Sequence, residues 1–133
     1  MLSHTTSLRV RYADTDKMGI VYYAKYLEYF EVARTEMLRA HGLPYSHIEE
    51  QGFALPVASA SIDYIKGAVY DDELLITASF VPKHSPKVEI HYEIRRSSDN
   101  EMIATGDTLL VFVDIATGKP VKAPKFYLDA IGI

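Results

Sequence analysis

The sequence contains no cysteine among its 133 residues. This absence excludes a disulfide framework, a thiolate nucleophile and a cysteine-based zinc site. The sequence also lacks an excess of basic residues, since 14 Lys and Arg stand against 18 Asp and Glu, giving a formal net charge of -4. Binding to a phosphate backbone needs clustered positive charge. We therefore expect no nucleic-acid partner.

Long hydrophobic runs are absent as well. No stretch approaches the roughly 18 apolar residues of a membrane-spanning helix, and residues 1–14 lack the basic and apolar segments of a secretory signal. We expect a cytoplasmic protein without a membrane span. There is also no internal repeat, low-complexity tract or linker rich in Pro, Gly or Ser. The length and the absence of a linker predict one domain over residues 1–133.

The first half of the chain predicts a strand followed by a long helix. Residues 5–13, "TTSLRVRYA", alternate apolar and polar side chains with the period of a strand. From Tyr23 to Leu38 the apolar residues recur every three or four positions, which is the period of a helix, and Gly42 is a typical residue just past a helix end. A second short helix is expected within residues 43–52, with Ser46 and Glu49 spaced as a capping box.

The second half predicts four long strands joined by short connections, over residues 54–66, 73–82, 87–96 and 101–114. Together with the first strand they predict an α+β protein in which an antiparallel sheet of about five strands wraps around one long central helix. One helix covers only part of such a sheet. We therefore expect a second copy to cover the rest, in a homodimer or homotetramer.

The segment "RYADTDKMGIVYYAKYLEYFEVARTEML", residues 11–38, resembles the opening of hotdog-fold acyl-CoA thioesterases of the 4-hydroxybenzoyl-CoA thioesterase type. Its most specific features are the Asp-Thr-Asp motif, a glycine three residues later, the paired aromatics Tyr22 and Tyr23, and "EVAR" within the helix. The resemblance implies a hotdog fold over nearly the whole chain and an acyl-CoA substrate. It also implies that Asp16, the second carboxylate of the motif, is catalytic. Many relatives carry histidine at the position of Tyr23. Because the side chain differs here, the role that the resemblance implies for Tyr23 is that of its backbone N–H.

The residues themselves favour the same chemistry. No Ser, Thr, Asp or Asn directly precedes Tyr23, so the first N–H groups of the helix lack a side-chain cap. Open N–H groups at the positive end of a helix suit the oxyanion of a thioester carbonyl under attack. Gly19 permits a sharp turn that directs Asp16 towards this helix end. The competing interpretation is an Asx-turn at Asp16 and a water-capped helix.

Several other side chains are candidates for substrate binding. The hydroxyl of Tyr12 is placed to hold Asp16, although strand tyrosines commonly serve as packing residues. The phosphates of coenzyme A need cations, and the strand connection "VPKHSPKVE" supplies Lys83, Ser85 and Lys87, with Lys66 as a further candidate. Lysines in turns are also common for solubility alone.

Alternatives for the catalytic acid and for the reaction remain. Glu31 and Glu36 on the helix are other candidate acids, but Glu31 with Arg34 is more typical of a local ion pair. The five histidines show no metal-ligand spacing, and neither a serine elbow nor a phosphate-binding loop is present, so we expect neither metal nor cofactor. The interpretation we favour is an acyl-CoA thioester hydrolase with Asp16 as nucleophile or general base. The alternatives are a hotdog dehydratase or hydratase and a non-catalytic acyl-thioester binding protein.

Overall fold

The computed structural model describes all 133 residues. The chain forms seven strands, three α-helices and one 3-10 turn at residues Tyr12–Asp14. In chain order the strands and helices are β1 (Leu2–Arg9), α1 (Lys25–Ala40), α2 (Tyr45–Glu50), β2 (Phe53–Ala54), β3 (Val57–Tyr64), β4 (Glu73–Phe80), β5 (Lys87–Arg96), β6 (Met102–Val111), β7 (Val113–Asp114) and α3 (Lys125–Ile131). No helix is both long and apolar enough to cross a membrane.

The main sheet has five antiparallel strands in the order β1-β4-β5-β6-β3. Its alternating sequences bury one face, as on β4, where the buried residues are Leu74, Ile76, Ala78 and Phe80. The α+β architecture and the five long strands predicted from the sequence are confirmed. The strands β1 and β3 form the two edges, and β2 pairs with β7 in a separate two-stranded ribbon.

Helix α1 lies on the buried face of the sheet and contacts β1 and β4. Its apolar side carries Phe30, whose ring stacks on Tyr92 of β5 with ring centroids 4.2 Å apart. The helix begins at Lys25, two residues later than the periodicity predicted. Tyr29 is buried on this side of the helix, whereas Val32 is 40% exposed.

Two features near helix ends differ from expectation. The predicted capping box at Ser46 is wrong, since α2 begins after Pro44 and Ser46 therefore lies inside the helix. Helix α3 was not predicted, yet Tyr127 and Ile131 on it are buried in the main core. Its seven residues span barely two turns, which is too short for a clear helical period. Helix α3 closes the end of the structure next to the β6 terminus, because Phe112 packs against Tyr127.

Candidate active site

The connection between β1 and α1 is anchored by Asp14, whose residue is only 6% exposed. Its carboxylate accepts hydrogen bonds from the Tyr29 hydroxyl at 2.9 Å and from the Arg11 N–H at 3.1 Å. The Lys25 ammonium lies 3.9 Å away. Burial and the hydrogen bond to Asp14 raise the pKa of Tyr29, so its hydroxyl remains a protonated donor. Asp14 therefore ties the connection to the first turns of α1.

Two residues further on, Asp16 lies at the start of a tight turn. Its N–H donates to the Ile20 carbonyl at 2.9 Å, its carbonyl accepts from the Gly19 N–H at 3.0 Å, and Gly19 has a positive φ of 80°. One carboxylate oxygen, Oδ1, accepts the Met18 N–H at 2.8 Å. The Asx-turn considered from the sequence is therefore present. The second oxygen, Oδ2, accepts no hydrogen bond from the chain, which leaves it able to meet a ligand.

The N-terminus of α1 offers unpaired backbone donors. The residue before the helix, Ala24, makes no side-chain cap. The Lys25 N–H donates to the Tyr22 carbonyl at 2.9 Å, whereas the N–H groups of Tyr23 and Ala24 donate to no acceptor in the chain. These groups lie at the end of a 16-residue helix, where the helix dipole is positive. They are suited to hold a negatively charged oxygen.

A surface cleft of about 320 Å³ brings these groups together. Its lining includes three of the predicted site residues, Asp16, Tyr23 and Lys66. The other lining residues are mostly apolar or aromatic: Met18, Ile20, Val21, Tyr26, Tyr64, Ile65 and Gly67. An acid, a helix N-terminus and a cation therefore share one cleft with apolar walls, which is an arrangement suited to an anionic ligand with an apolar part.

One residue of the aromatic wall of the cleft, Tyr64, was missed in the sequence. Tyr64 at the end of β3 donates to the Tyr23 carbonyl at 3.0 Å, and its ring lies 5.5 Å from that of Tyr26. Burial raises the pKa of both Tyr26 and Tyr64, so both hydroxyls stay neutral. Tyr64 is 41 positions from Tyr23 in the sequence, and no local pattern links the two residues. Only the sheet register places them together.

Tyr12 is not brought to Asp16. Its side chain is 78% exposed and its ring packs edge-on against Tyr70, with centroids 5.7 Å apart. It makes no hydrogen bond to Asp16 and does not line the cleft. The 3-10 turn at Tyr12–Asp14 redirects the chain after β1, so a strand spacing no longer relates the two side chains.

Three of the four predicted phosphate-binding residues, Lys83, Ser85 and Lys87, lie between the end of β4 and the first residue of β5, at the opposite end of the sheet. Lys87 pairs with Val111, whereas Tyr64 beside the cleft pairs with Ala104, seven residues earlier on β6. At about 3.3 Å per residue, the two ends are roughly 20 Å apart. Ser85 accepts the Lys87 N–H at 2.9 Å and so shapes the connection itself. Of the predicted phosphate-binding residues, only Lys66, which pairs with Glu101 at 3.1 Å, lines the cleft with Asp16.

The alternative acids on α1 lie outside the cleft. Glu36 pairs with Arg39 at 3.4 Å. The expected ion pair between Glu31 and Arg34 is wrong, because these two side chains form no salt bridge; both instead line a separate cavity near the C-terminal half of α1. Neither glutamate is placed to act with the open helix start.

Comparison with known proteins places the chain in a family. The model of the thioesterase-like superfamily matches residues 10–131. The acyl-CoA thioesterase YbgC of Haemophilus influenzae is 36% identical over 119 residues, which cover 89% of this chain and 86% of that protein. Slr0204 of Synechocystis, a 1,4-dihydroxy-2-naphthoyl-CoA thioesterase, has a TM-score of 0.89 at 28% identity, covering 97% of this chain and 95% of that chain.

The fold is shared with a 4-hydroxybenzoyl-CoA thioesterase solved with 4-hydroxybenzoyl-CoA, at a TM-score of 0.86 and 22% identity over 98% of this chain and 99% of that chain. The chain belongs to the thioesterase-like superfamily and has the hotdog fold. It is an enzyme of the thioester hydrolase class. The resemblance noted for residues 11–38 is therefore confirmed.

Proposed function

We propose that the protein hydrolyses acyl-CoA thioesters in the cleft that contains Asp16. One observation carries the proposal: a half-buried carboxylate with an unpartnered oxygen shares a cleft with the uncapped N-terminus of α1. Relatives that are named as hydrolases of acyl-CoA or 1,4-dihydroxy-2-naphthoyl-CoA support this class of substrate. The dehydratase alternative expects a histidine and acid pair, whereas the neighbours of Asp16 in the cleft are apolar, aromatic and one lysine.

In the proposed reaction the Asp16 carboxylate either attacks the thioester carbonyl carbon or takes a proton from the water that attacks it. In both routes the carbonyl oxygen gains negative charge, which the N–H groups of Tyr23 and Ala24 stabilise. The carbon–sulfur bond then breaks, and the coenzyme leaves as a thiol after it gains a proton. The acyl group leaves as a carboxylic acid, with one oxygen supplied ultimately by water.

We propose further that the active form is a homodimer joined along β3. This edge strand is exposed at seven of its eight positions, whereas the other edge strand, β1, has one half-covered face. An unpaired edge with both faces open is a template for another strand. Two-fold antiparallel pairing of β3 with its copy brings the Val57 end of one chain beside the Tyr64 end of the other. The partner's Lys83 and Lys87 then lie on the same side as the Asp16 cleft.

The test is release of free thiol from a panel of acyl-CoA substrates of graded chain length and from an aromatic acyl-CoA. A thioesterase gives turnover that depends on acyl group and on enzyme concentration. A non-catalytic binding protein gives saturable binding of the same compounds without thiol release, and that outcome would overturn the proposal.

A further inference from the structure

The peptide unit that joins Tyr23 to Ala24 is part of the open start of α1. Its N–H, on Ala24, donates to no acceptor in the chain, and its carbonyl, on Tyr23, accepts no backbone N–H. In a regular helix the Tyr23 carbonyl would accept from Leu27, but the Leu27 N–H donates to the Ala24 carbonyl at 3.2 Å. The backbone of α1 therefore holds this peptide unit at neither end.

The other open donor, the Tyr23 N–H, is held by the helix itself. It belongs to the peptide unit whose carbonyl, on Tyr22, accepts the Lys25 N–H at 2.9 Å. The first turn of α1 therefore fixes the direction of the Tyr23 N–H. Of the two open donors, only the Ala24 N–H depends on a group from outside the helix.

Tyr64 supplies that group. Its hydroxyl donates to the Tyr23 carbonyl at 3.0 Å. Tyr64 is the last residue of β3, and its backbone pairs with Ala104 of β6. Its ring packs edge-on against the buried Tyr26 of α1, with ring centroids 5.5 Å apart. The sheet and the helix together therefore fix the position of the hydroxyl.

A hydrogen bond to a peptide carbonyl also acts on the N–H of the same peptide unit. The unit is planar, so a fixed carbonyl direction fixes the direction of the N–H. A bond accepted at the carbonyl polarises the unit as well, which strengthens its N–H as a donor. Both effects favour an oxyanion over a neutral carbonyl oxygen, because the oxyanion carries more negative charge.

We infer that Tyr64 is a positioning residue for thioester hydrolysis, whose hydroxyl orients and polarises the Tyr23–Ala24 peptide unit so that the Ala24 N–H donates to the oxyanion. The inference rests on the proposed function, because it requires the thioester oxygen to bind at the start of α1. It adds to that site a hydroxyl that lies 41 positions from Tyr23 in the sequence.

Tyr64→Phe removes the hydroxyl and keeps the ring contact with Tyr26. The kcat for thiol release from acyl-CoA should fall roughly 3- to 10-fold, as expected for loss of one neutral hydrogen bond, while KM stays within about twofold. The loss falls on kcat because the charge that the N–H stabilises develops in the transition state. Tyr70→Phe is the matched control, since Tyr70 is 57% exposed and packs on Tyr12 outside the cleft. It should keep kcat within about twofold of the parent value.

A spectroscopic measurement separates positioning from support of the fold. Acyl-CoA that is isotope-labelled at the thioester carbonyl carbon is bound to Asp16→Asn, which should hydrolyse it slowly, and the carbonyl stretching frequency is measured by difference infrared spectroscopy. Hydrogen bonds from the helix start lower this frequency relative to free acyl-CoA. Adding Tyr64→Phe to Asp16→Asn should move the frequency back towards the free value, whereas adding Tyr70→Phe should not. Circular dichroism and light scattering establish that each variant keeps its fold and assembly.

Two results would overturn this inference and leave the proposed function standing: a parental kcat in Tyr64→Phe, or an unchanged carbonyl frequency when Tyr64→Phe is added to Asp16→Asn. A Tyr64→Phe variant that is unfolded, or that raises KM alone, would assign the hydroxyl to the fold or to substrate binding and would also overturn it. Absence of thiol release by the parent protein would overturn the proposed function and this inference with it.

Discussion

Asp14 and Asp16 are separated by one residue, yet the structure gives them opposite environments. Asp14 is buried and both of its oxygens have partners within 4 Å, whereas Asp16 keeps one oxygen without a donor. The 3-10 turn that ends at Asp14 and the Gly19 turn that follows Asp16 cause the difference. A carboxylate that is already satisfied is poorly suited to attack or to proton transfer. The available oxygen of Asp16 is the reason that we propose Asp16, and not Asp14, as the catalytic carboxylate.

Asp16→Asn should remove nearly all thioester hydrolysis, with kcat reduced about 100-fold or more, because the amide keeps the shape but neither attacks nor accepts a proton. The Asx-turn to Met18 is retained, since the Asn side-chain oxygen also accepts an N–H. Steady-state thiol release and the thermal midpoint should be measured together. A variant that retains activity within about tenfold of the parent would show that Asp16 is not the catalytic group.

Asp14→Asn is the matched control, and it should reduce the stability of the protein more than its catalytic rate. The change removes the negative charge beside Lys25 and weakens the buried hydrogen bond from Tyr29, which should lower the free energy of unfolding by about 1–3 kcal/mol. At a temperature where the variant is folded, kcat should stay much closer to the parent value than in Asp16→Asn. Denaturant unfolding and thiol release test this. Equal losses of kcat in the two variants would contradict the division of roles.

Local sequence patterns predicted some residues of the candidate site but not others. The rules for turns and helix caps place three features together because they are close in sequence: Asp16, Gly19 and the uncapped start of α1 at Lys25. Tyr64 and Lys66 reach the cleft only through the register of β3 on β6. Local patterns do not specify which strand ends meet. The sequence therefore did not indicate that Tyr64 belongs to the site, and it indicated Lys66 only as a further candidate cation.

Secondary-structure elements with one buried face were predicted well, because burial imposes a period on the sequence. Strand β4 alternates buried and half-buried positions throughout, and α1 repeats its buried residues every three or four positions. The errors occur where that constraint is weak. Helix α3 has only seven residues, which is too short to show a clear helical period in the sequence. The start of α1 was misplaced because no capping residue marks it.

Contact between α1 and the sheet depends on a glycine in β6. A Cβ added to Gly106 would lie 2.5 Å from the Phe30 ring and 2.6 Å from the Ser61 carbonyl oxygen. The ring is held by its stacking on Tyr92. Gly106→Ala should therefore lower the free energy of unfolding by about 1–3 kcal/mol or more, since overpacking against backbone is not relieved by a rotamer change.

Denaturant unfolding of Gly106→Ala measures this cost, and Thr105→Ala provides the control. Thr105 is the neighbouring residue on β6 and faces the outer side of the sheet, so its truncation adds no atom near α1. It should change stability by less than about 1 kcal/mol. Equal stability of Gly106→Ala and the parent would show that α1 is not packed against β6 as described.

At the scale of the whole molecule, two of the predicted phosphate-binding lysines are far from the proposed catalytic acid of the same chain. Lys83 and Lys87 lie at one end of the sheet and Asp16 lies at the other. The sequence predicted a partner chain from the limited cover that one helix provides, but it contains no pattern that specifies strand pairing between copies. The two-fold axis that we propose along β3 would reconcile the two ends, because it would place the lysines of each chain near the Asp16 of its partner.

Pairing along β3 is tested by a like-charge substitution. Ala60 is exposed near the middle of β3, so Ala60→Lys places two lysines near each other across a two-fold axis, and like charges on facing strands are destabilising. The variant should shift from dimer towards monomer in light scattering and should lose activity in parallel. Ser7→Lys adds the same charge to the exposed face of the other edge strand, β1, and should leave the dimer intact. Dissociation by Ser7→Lys instead would assign the interface to β1.

The shared site is tested by mixing two variants that each lack one part of it. Lys83→Ala with Lys87→Ala should raise the KM for acyl-CoA with little change in kcat, while the Asp16→Asn chain should be inactive. The two proteins are unfolded and refolded together. In a mixed dimer whose sites combine both chains, one site has Asp16 from the first variant and both lysines from the second, so activity with the parental KM should reappear. If each chain holds its own coenzyme, no mixed site is complete and only the high-KM activity remains.

A parental KM in the double-lysine variant alone would contradict the role of these lysines and would leave Lys66, beside Asp16, as the cation for the phosphates.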